Sequence, residues 1–145
     1  MIFLSKEKEK EATLPFKHVR RDGTERTFKG TVVKTTPDYA LVKPERVFFI
    51  QWIKFAPGKG PRDYINSHRE LDNELKKKYG KTRCEMDCHE IATFLTLGRN
   101  DMVVLWDAPN LETYQRIVAA SVNPGTDHGT SETHTAVAAL AHPGL

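Results

Sequence analysis

In the run Val47–Phe55 (VFFIQWIKF) an extended chain carries apolar side chains on both sides. Phe48, Ile50 and Trp52 fall on one side, and Val47, Phe49, Ile53 and Phe55 on the other. Ile91–Leu97 repeats the pattern, with Ile91, Leu95 and Leu97 opposite Ala92 and Phe94, and Met102–Trp106 is a third apolar strand. Between the first two strands, Tyr64, His68, Leu71 and Leu75 recur at spacings of four, three and four, with Ile65 and Tyr79 beside them. That stripe predicts a helix over Arg62–Lys78, with Pro61 where its missing N–H costs nothing and Gly80 as its stop. Lys76, Lys77 and Lys78 are accounted for as charges opposing the negative helix end. A second helix is predicted over Asn110–Val122, with Leu111, Tyr114, Ile117 and Val118 as its apolar face and Pro124-Gly125 as its stop. Either Asn110 caps it or Pro109 is its first residue. The last strand, Ser131–Val137, alternates Glu132, His134 and Ala136 with Ser131, Thr133, Thr135 and Val137 and is less apolar than the others, as an edge strand often is.

Strand, helix, strand, strand, helix, strand is the order of an α+β, ferredoxin-like βαββαβ domain with an antiparallel four-stranded sheet, expected over residues 47–140 with a tail at 141–145. In such a fold the helices cover one sheet face. The second apolar face therefore needs a cover, either the sheet of a second copy, which makes a homodimer or higher oligomer, or the segment that precedes Val47.

That segment, residues 1–46, divides from the rest at Pro44-Glu45-Arg46. Phe16–Val19 and Arg26–Phe28 flank Arg21-Asp22-Gly23-Thr24, a hairpin turn, and the β-rich runs Gly30–Thr35 and Tyr39–Lys43 join through Thr36-Pro37-Asp38. A small three- or four-stranded meander results, with too few large apolar residues to fold alone, so it is expected to dock on the main domain or on another subunit. It also holds the basic excess: eleven Lys and Arg against seven Asp and Glu, compared with eleven against twelve in residues 47–145. Within it, Lys17-His18-Val19-Arg20-Arg21 with Phe16, Phe28 and Tyr39 resembles a ribbon that tracks phosphates while stacking bases. Against nucleic acid, Lys alternates with Glu in KEKEKE, the aromatics alternate as core positions would, and no helix-turn-helix pattern precedes the domain.

Composition adds limits. No apolar run approaches the ~20 residues that span a bilayer, and the start MIFLSKEKEKEA has no signal-peptide core, so a soluble, cytoplasmic protein with no membrane partner is expected. Two cysteines close together make no disulfide framework and are expected to be reduced.

The block FLTLGRNDMVVLWDAPNLETYQRIV, followed by a Pro-Gly turn and TSETHTAVAAL, resembles the GYD domain family, small ferredoxin-like proteins related in shape to the dimeric α/β-barrel superfamily. The resemblance implies the fold and a dimer over roughly residues 47–140, and no defined reaction. Gly98 and Asp101 match the family's Gly-x-Tyr-Asp, whereas Asn100 stands where that motif has tyrosine, so no role carries over to Asn100.

Two constellations carry candidate chemistry in the main domain. Cys84, Cys88 and His89, with His68 as a fourth group, are a candidate divalent-metal site, although structural zinc sites ordinarily use two close pairs of ligands. Tyr64, His68, Trp52 or Phe49, Trp106 or Met102, and His134, with Asp101 nearby, are candidates for an apolar pocket between helices and sheet. There His68 is a candidate general base or a satisfied core histidine. Gly58-Lys59-Gly60-Pro61 is too short for a phosphate loop, and neither a nucleophile elbow nor a histidine-glutamate metal helix occurs. The expected function is a non-catalytic, dimeric, small-ligand-binding or accessory protein that docks through its N-terminal arm. The alternatives are a small enzyme of the isomerase, oxygenase or decarboxylase type using His68, or a metal- or nucleic-acid-binding accessory protein.

Overall fold

The computed structural model describes residues 10–121 and 128–142; the charged start of the chain, the expected end of the second helix at Val122 and its Pro124-Gly125 stop lie outside them. The architecture is α+β, with two four-stranded antiparallel sheets and two helices, and the chain divides into two units. One runs up to Val47 and resumes at Ala136; the other is Phe48–Thr135.

The first unit is a sheet of β1 (Lys10–Val19), β2 (Glu25–Thr35), β3 (Ala40–Pro44) and β8 (Ala139–Ala141), in the order β1-β2-β3-β8. Asp22-Gly23 makes the hairpin turn: Gly23 has φ 89° and the Thr24 N–H donates to Asp22 Oδ1 at 2.9 Å. The runs Arg26–Phe28 and Gly30–Thr35 are one continuous strand. Leu14, Phe28 and Val42 are the buried hydrophobic side chains of this sheet, which makes Phe28 a core side chain and not a base-stacking one. A single meander was expected here, with residues 136–140 counted in the main domain and 141–145 as a tail. Instead, Ala139, Leu140 and Ala141 pair with Val42, Leu41 and Ala40, so the chain's end supplies the fourth strand. The physical reason is that β3 would otherwise be an edge with unpaired backbone groups, and three small or apolar residues suffice to pair it.

The second unit runs β4 (Val47–Phe55), α1 (Pro61–Tyr79), β5 (His89–Leu95), β6 (Met102–Ala108), α2 (Leu111–Ala120) and β7 (Gly129–Thr135), with sheet order β5-β6-β4-β7. Each helix links two strands that are not neighbours in the sheet, and the arrangement is consistent with a ferredoxin-like fold. Pro61 opens α1, and Gly80, at φ 75°, ends it by donating its N–H to the Lys76 carbonyl. Asn110 is the N-cap of α2, its side chain accepting from the Thr113 N–H at 2.8 Å. Tyr64, His68, Leu71 and Leu75 are all buried, as the stripe requires, while Ile65 lies outside it and is exposed. No helix among the described residues is long and apolar enough to cross a membrane.

Candidate functional site

Within the second unit, β4 sends Phe49 and Gln51, and β6 sends Trp106, toward the helices. Phe49 and Trp106 lie parallel with centroids 6.1 Å apart, and Tyr114 of α2 tilts onto Phe49 at 4.2 Å. The Trp106 indole N–H donates to Gln51 Oε1 at 3.0 Å, which ties β6 to β4 through side chains. From α1, His68 stacks on Trp106 at 5.4 Å, and Tyr64 packs on His68 at 4.1 Å. Between these groups lies a cavity of about 460 Å³, lined by Phe49, Gln51, His68, Arg83, Trp106 and Tyr114 together with Leu71, Cys88, Ile117, Val118, Ser121, Ser131 and Thr133.

Arg83 organises the polar side of the cavity. It sits in the connection from α1 to β5, which the left-handed Gly80 turns back toward the helix. Thr82 and Glu85 bond reciprocally within this connection, and the Cys88 N–H donates to the Arg83 carbonyl at 2.9 Å. The Arg83 backbone N–H and Nε both donate to Asp72 Oδ1, at 3.0 and 2.9 Å, and Nη2 donates to Asp72 Oδ2 at 3.3 Å. Nη1 reaches His68 Nδ1 at 2.5 Å. The guanidinium carbon lies 5.1 Å from the Trp106 ring centroid, a cation–π contact.

These contacts determine the state of His68. A guanidinium only donates, so Nδ1 accepts and the proton of the neutral imidazole sits on Nε2. Burial first, and then the charge of Arg83 and the proximity of His128, lower its pKa to about 2. It is therefore neutral at physiological pH and a poor base. Burial raises the Tyr64 phenol well above its ordinary range, and its hydroxyl has no hydrogen-bond partner among the described residues. Burial also raises the Glu90 carboxyl, an effect that Arg83 opposes, and Glu90 accepts from the Thr93 hydroxyl. Arg83 is itself partly desolvated, but its bonds to Asp72 outweigh that and keep its pKa raised. The arrangement can hold an apolar body against aromatic walls and offer hydrogen-bond donors to one end of it.

Compared with family models, curated proteins and solved structures, the chain matches none.

The structure divides the residues singled out from sequence. His68, Tyr64 and Trp106 come together with Phe49, but Trp52 and His134 lie on the opposite sheet face, beside a separate open depression with Lys54, Arg99, Asn100 and Glu132. Asp101 serves the turn between β5 and β6: its Oδ2 accepts the Phe55 N–H at 2.8 Å, and its own N–H donates to the Ile53 carbonyl at 2.8 Å. Of the candidate metal ligands, Cys84 is exposed, Cys88 is buried and His89 pairs with Asp87 at 2.8 Å. Among the described residues no three His, Cys, Asp or Glu side chains converge on a metal position. Sequence reasoning missed Arg83, Gln51 and the cavity-facing role of Tyr114. One signal was available: Asp72 follows His68 by four residues at the border of the buried stripe, and such a pair calls for a cation.

Proposed function

We propose that this protein is a non-catalytic homodimer that holds a small molecule in the cavity beside His68 and Trp106, and that it acts as an accessory subunit docking through its N-terminal sheet. The observation that carries the ligand-binding reading is the cavity itself: about 460 Å³, walled by Phe49, Trp106 and Tyr114, and edged by a few convergent polar groups. The depressed pKa of His68 and its occupied Nδ1 favour binding over general-base chemistry, because an imidazole so acidified is a weak proton acceptor.

The homodimer is supported by the other face of the second sheet. Ile50, Trp52, Val103, Leu105 and Phe94 share that face, and Phe94 is 63% exposed. Sheet order β5-β6-β4-β7 and the Gly98 to Asp101 turn, with Gly98 at φ 117°, support a ferredoxin-like domain of the GYD kind. For the docking role, β1 is an edge strand of the first sheet, and Val19 on it is exposed.

The test is protein-observed NMR of the full chain against a panel of small aromatic and aliphatic fragments, reading the Trp106 indole N–H. Saturable shifts of Trp106, with the Trp52 indole unmoved, are expected. No saturable shift from any fragment would contradict the ligand-binding reading.

A further inference from the structure

The donors around the cavity define which ligands it selects. Arg83 has five N–H groups, of which Nε–H and one on Nη2 go to Asp72 and one on Nη1 goes to His68. Two remain, one on each terminal nitrogen, with no partner among the described residues, and the Arg83 side chain lines the cavity at 15% exposure. Gln51 accepts from Trp106 through its carbonyl oxygen, which leaves its amide NH₂ without a partner among the described residues on the same cavity wall. Ser121, Ser131, Thr133 and Tyr114 add hydroxyls. No Asp or Glu is among the described residues lining the cavity; Asp72 holds Arg83 from behind it. Unused donors in a part-buried site call for acceptors, and a carboxylate is the acceptor that matches a guanidinium. The remaining walls, Phe49, Trp106, Tyr114, Leu71 and Ile117, suit a flat apolar body.

We propose that the cavity selects a small aromatic carboxylate, with its carboxylate on the two open Arg83 N–H groups and the Gln51 amide, and its ring against Phe49, Trp106 and Tyr114. Asp72 prepares Arg83 for this role by holding the side-on edge of the guanidinium, so the cation is oriented before the ligand arrives. Pairing with Asp72 also keeps the empty site from carrying an uncompensated buried charge. This inference rests on the reading of the cavity as a ligand site.

The experiment is a titration of the full-length wild-type protein with benzoate, benzamide and benzylamine, three probes that share a ring and differ in charge, followed by calorimetry and by the Trp106 indole N–H. Benzoate is expected to bind at least tenfold more tightly than benzamide, and benzylamine not to bind. Arg83→Gln, checked for folding by its NMR spectrum, is expected to erase the preference for benzoate over benzamide. Because Arg83→Gln also removes bonds to Asp72 and His68, Gln51→Leu is a second variant, expected to weaken benzoate by at least fivefold. Equal binding of benzoate and benzamide would overturn the carboxylate assignment and leave the ligand site standing. Binding of none of the three, with Trp106 unmoved, would overturn both.

Discussion

At the scale of single residues, the buried polar side chains of α1 were half legible. The stripe of Tyr64, His68, Leu71 and Leu75 follows from spacing alone, and all four are buried. What spacing could not give was the partner of His68, because Arg83 reaches it from a connection with no periodic pattern. The depressed pKa of His68 has a measurable consequence. Between about 2 and the ordinary value of 6.5 the unfolded imidazole is protonated and the native one is not, so unfolding takes up a proton. Stability contributed by this residue is thus present above pH 6.5 and lost as pH falls below it, by up to about 1.4 kcal/mol per pH unit. His68→Gln, which keeps an acceptor for Arg83, should flatten the decline in urea-unfolding free energy between pH 6.5 and 5 by close to one proton's worth. An unchanged slope would show that His68 titrates normally. Burial of Glu90 acts with the opposite sign, its raised pKa adding stability at acid pH that is lost as pH rises, so the His68 effect is read as a difference between variant and wild type. Tyr64 gives a second check at this scale. Its buried hydroxyl has no partner among the described residues, so Tyr64→Phe removes an uncompensated polar group and should raise stability by about 1 kcal/mol in urea melts. A loss of similar size would mean the hydroxyl is bonded.

Among the elements, strands and helices of the second unit were legible because their periods are strong and their ends are chemically marked. Pro61, Gly80 and Asn110 each sit at a helix end for the reasons their chemistry supplies. The first unit was less so. The chain's end is a run of small residues, with no alternation to mark a strand, and only its pairing with Ala40, Leu41 and Val42 makes it one. Ending the chain at residue 138 should therefore unprotect the β3 amides that face β8, speeding their hydrogen exchange at least tenfold; unchanged exchange would contradict the pairing. The start of β7 is more tightly constrained. Gly129 has φ 151°, and a Cβ there would lie 2.1 Å from the Lys54 carbonyl oxygen of β4. Gly129→Ala should cost roughly 2 kcal/mol or more, by strain and clash together. Guanidinium unfolding with a loss under half that figure would contradict the close approach of β7 to β4.

For the whole molecule, the pocket residues read from sequence separate onto two faces of one sheet, because adjacent positions in a strand point opposite ways. Phe49 and Gln51 meet the helices, whereas Ile50 and Trp52 share the other face with Val103, Leu105 and Phe94. One face is thus proposed for a ligand and the other for a second copy. Leu105→Lys places a charge in the middle of the proposed dimer face and should halve the molecular mass in light scattering without altering fragment binding at Trp106; a dimer that persists in this variant would put the interface elsewhere. Native mass spectrometry of the purified full-length protein reads both faces together. A species of twice the chain mass that carries additional small-molecule mass, released on denaturation, is expected. A strictly monomeric species with no retained molecule would contradict it.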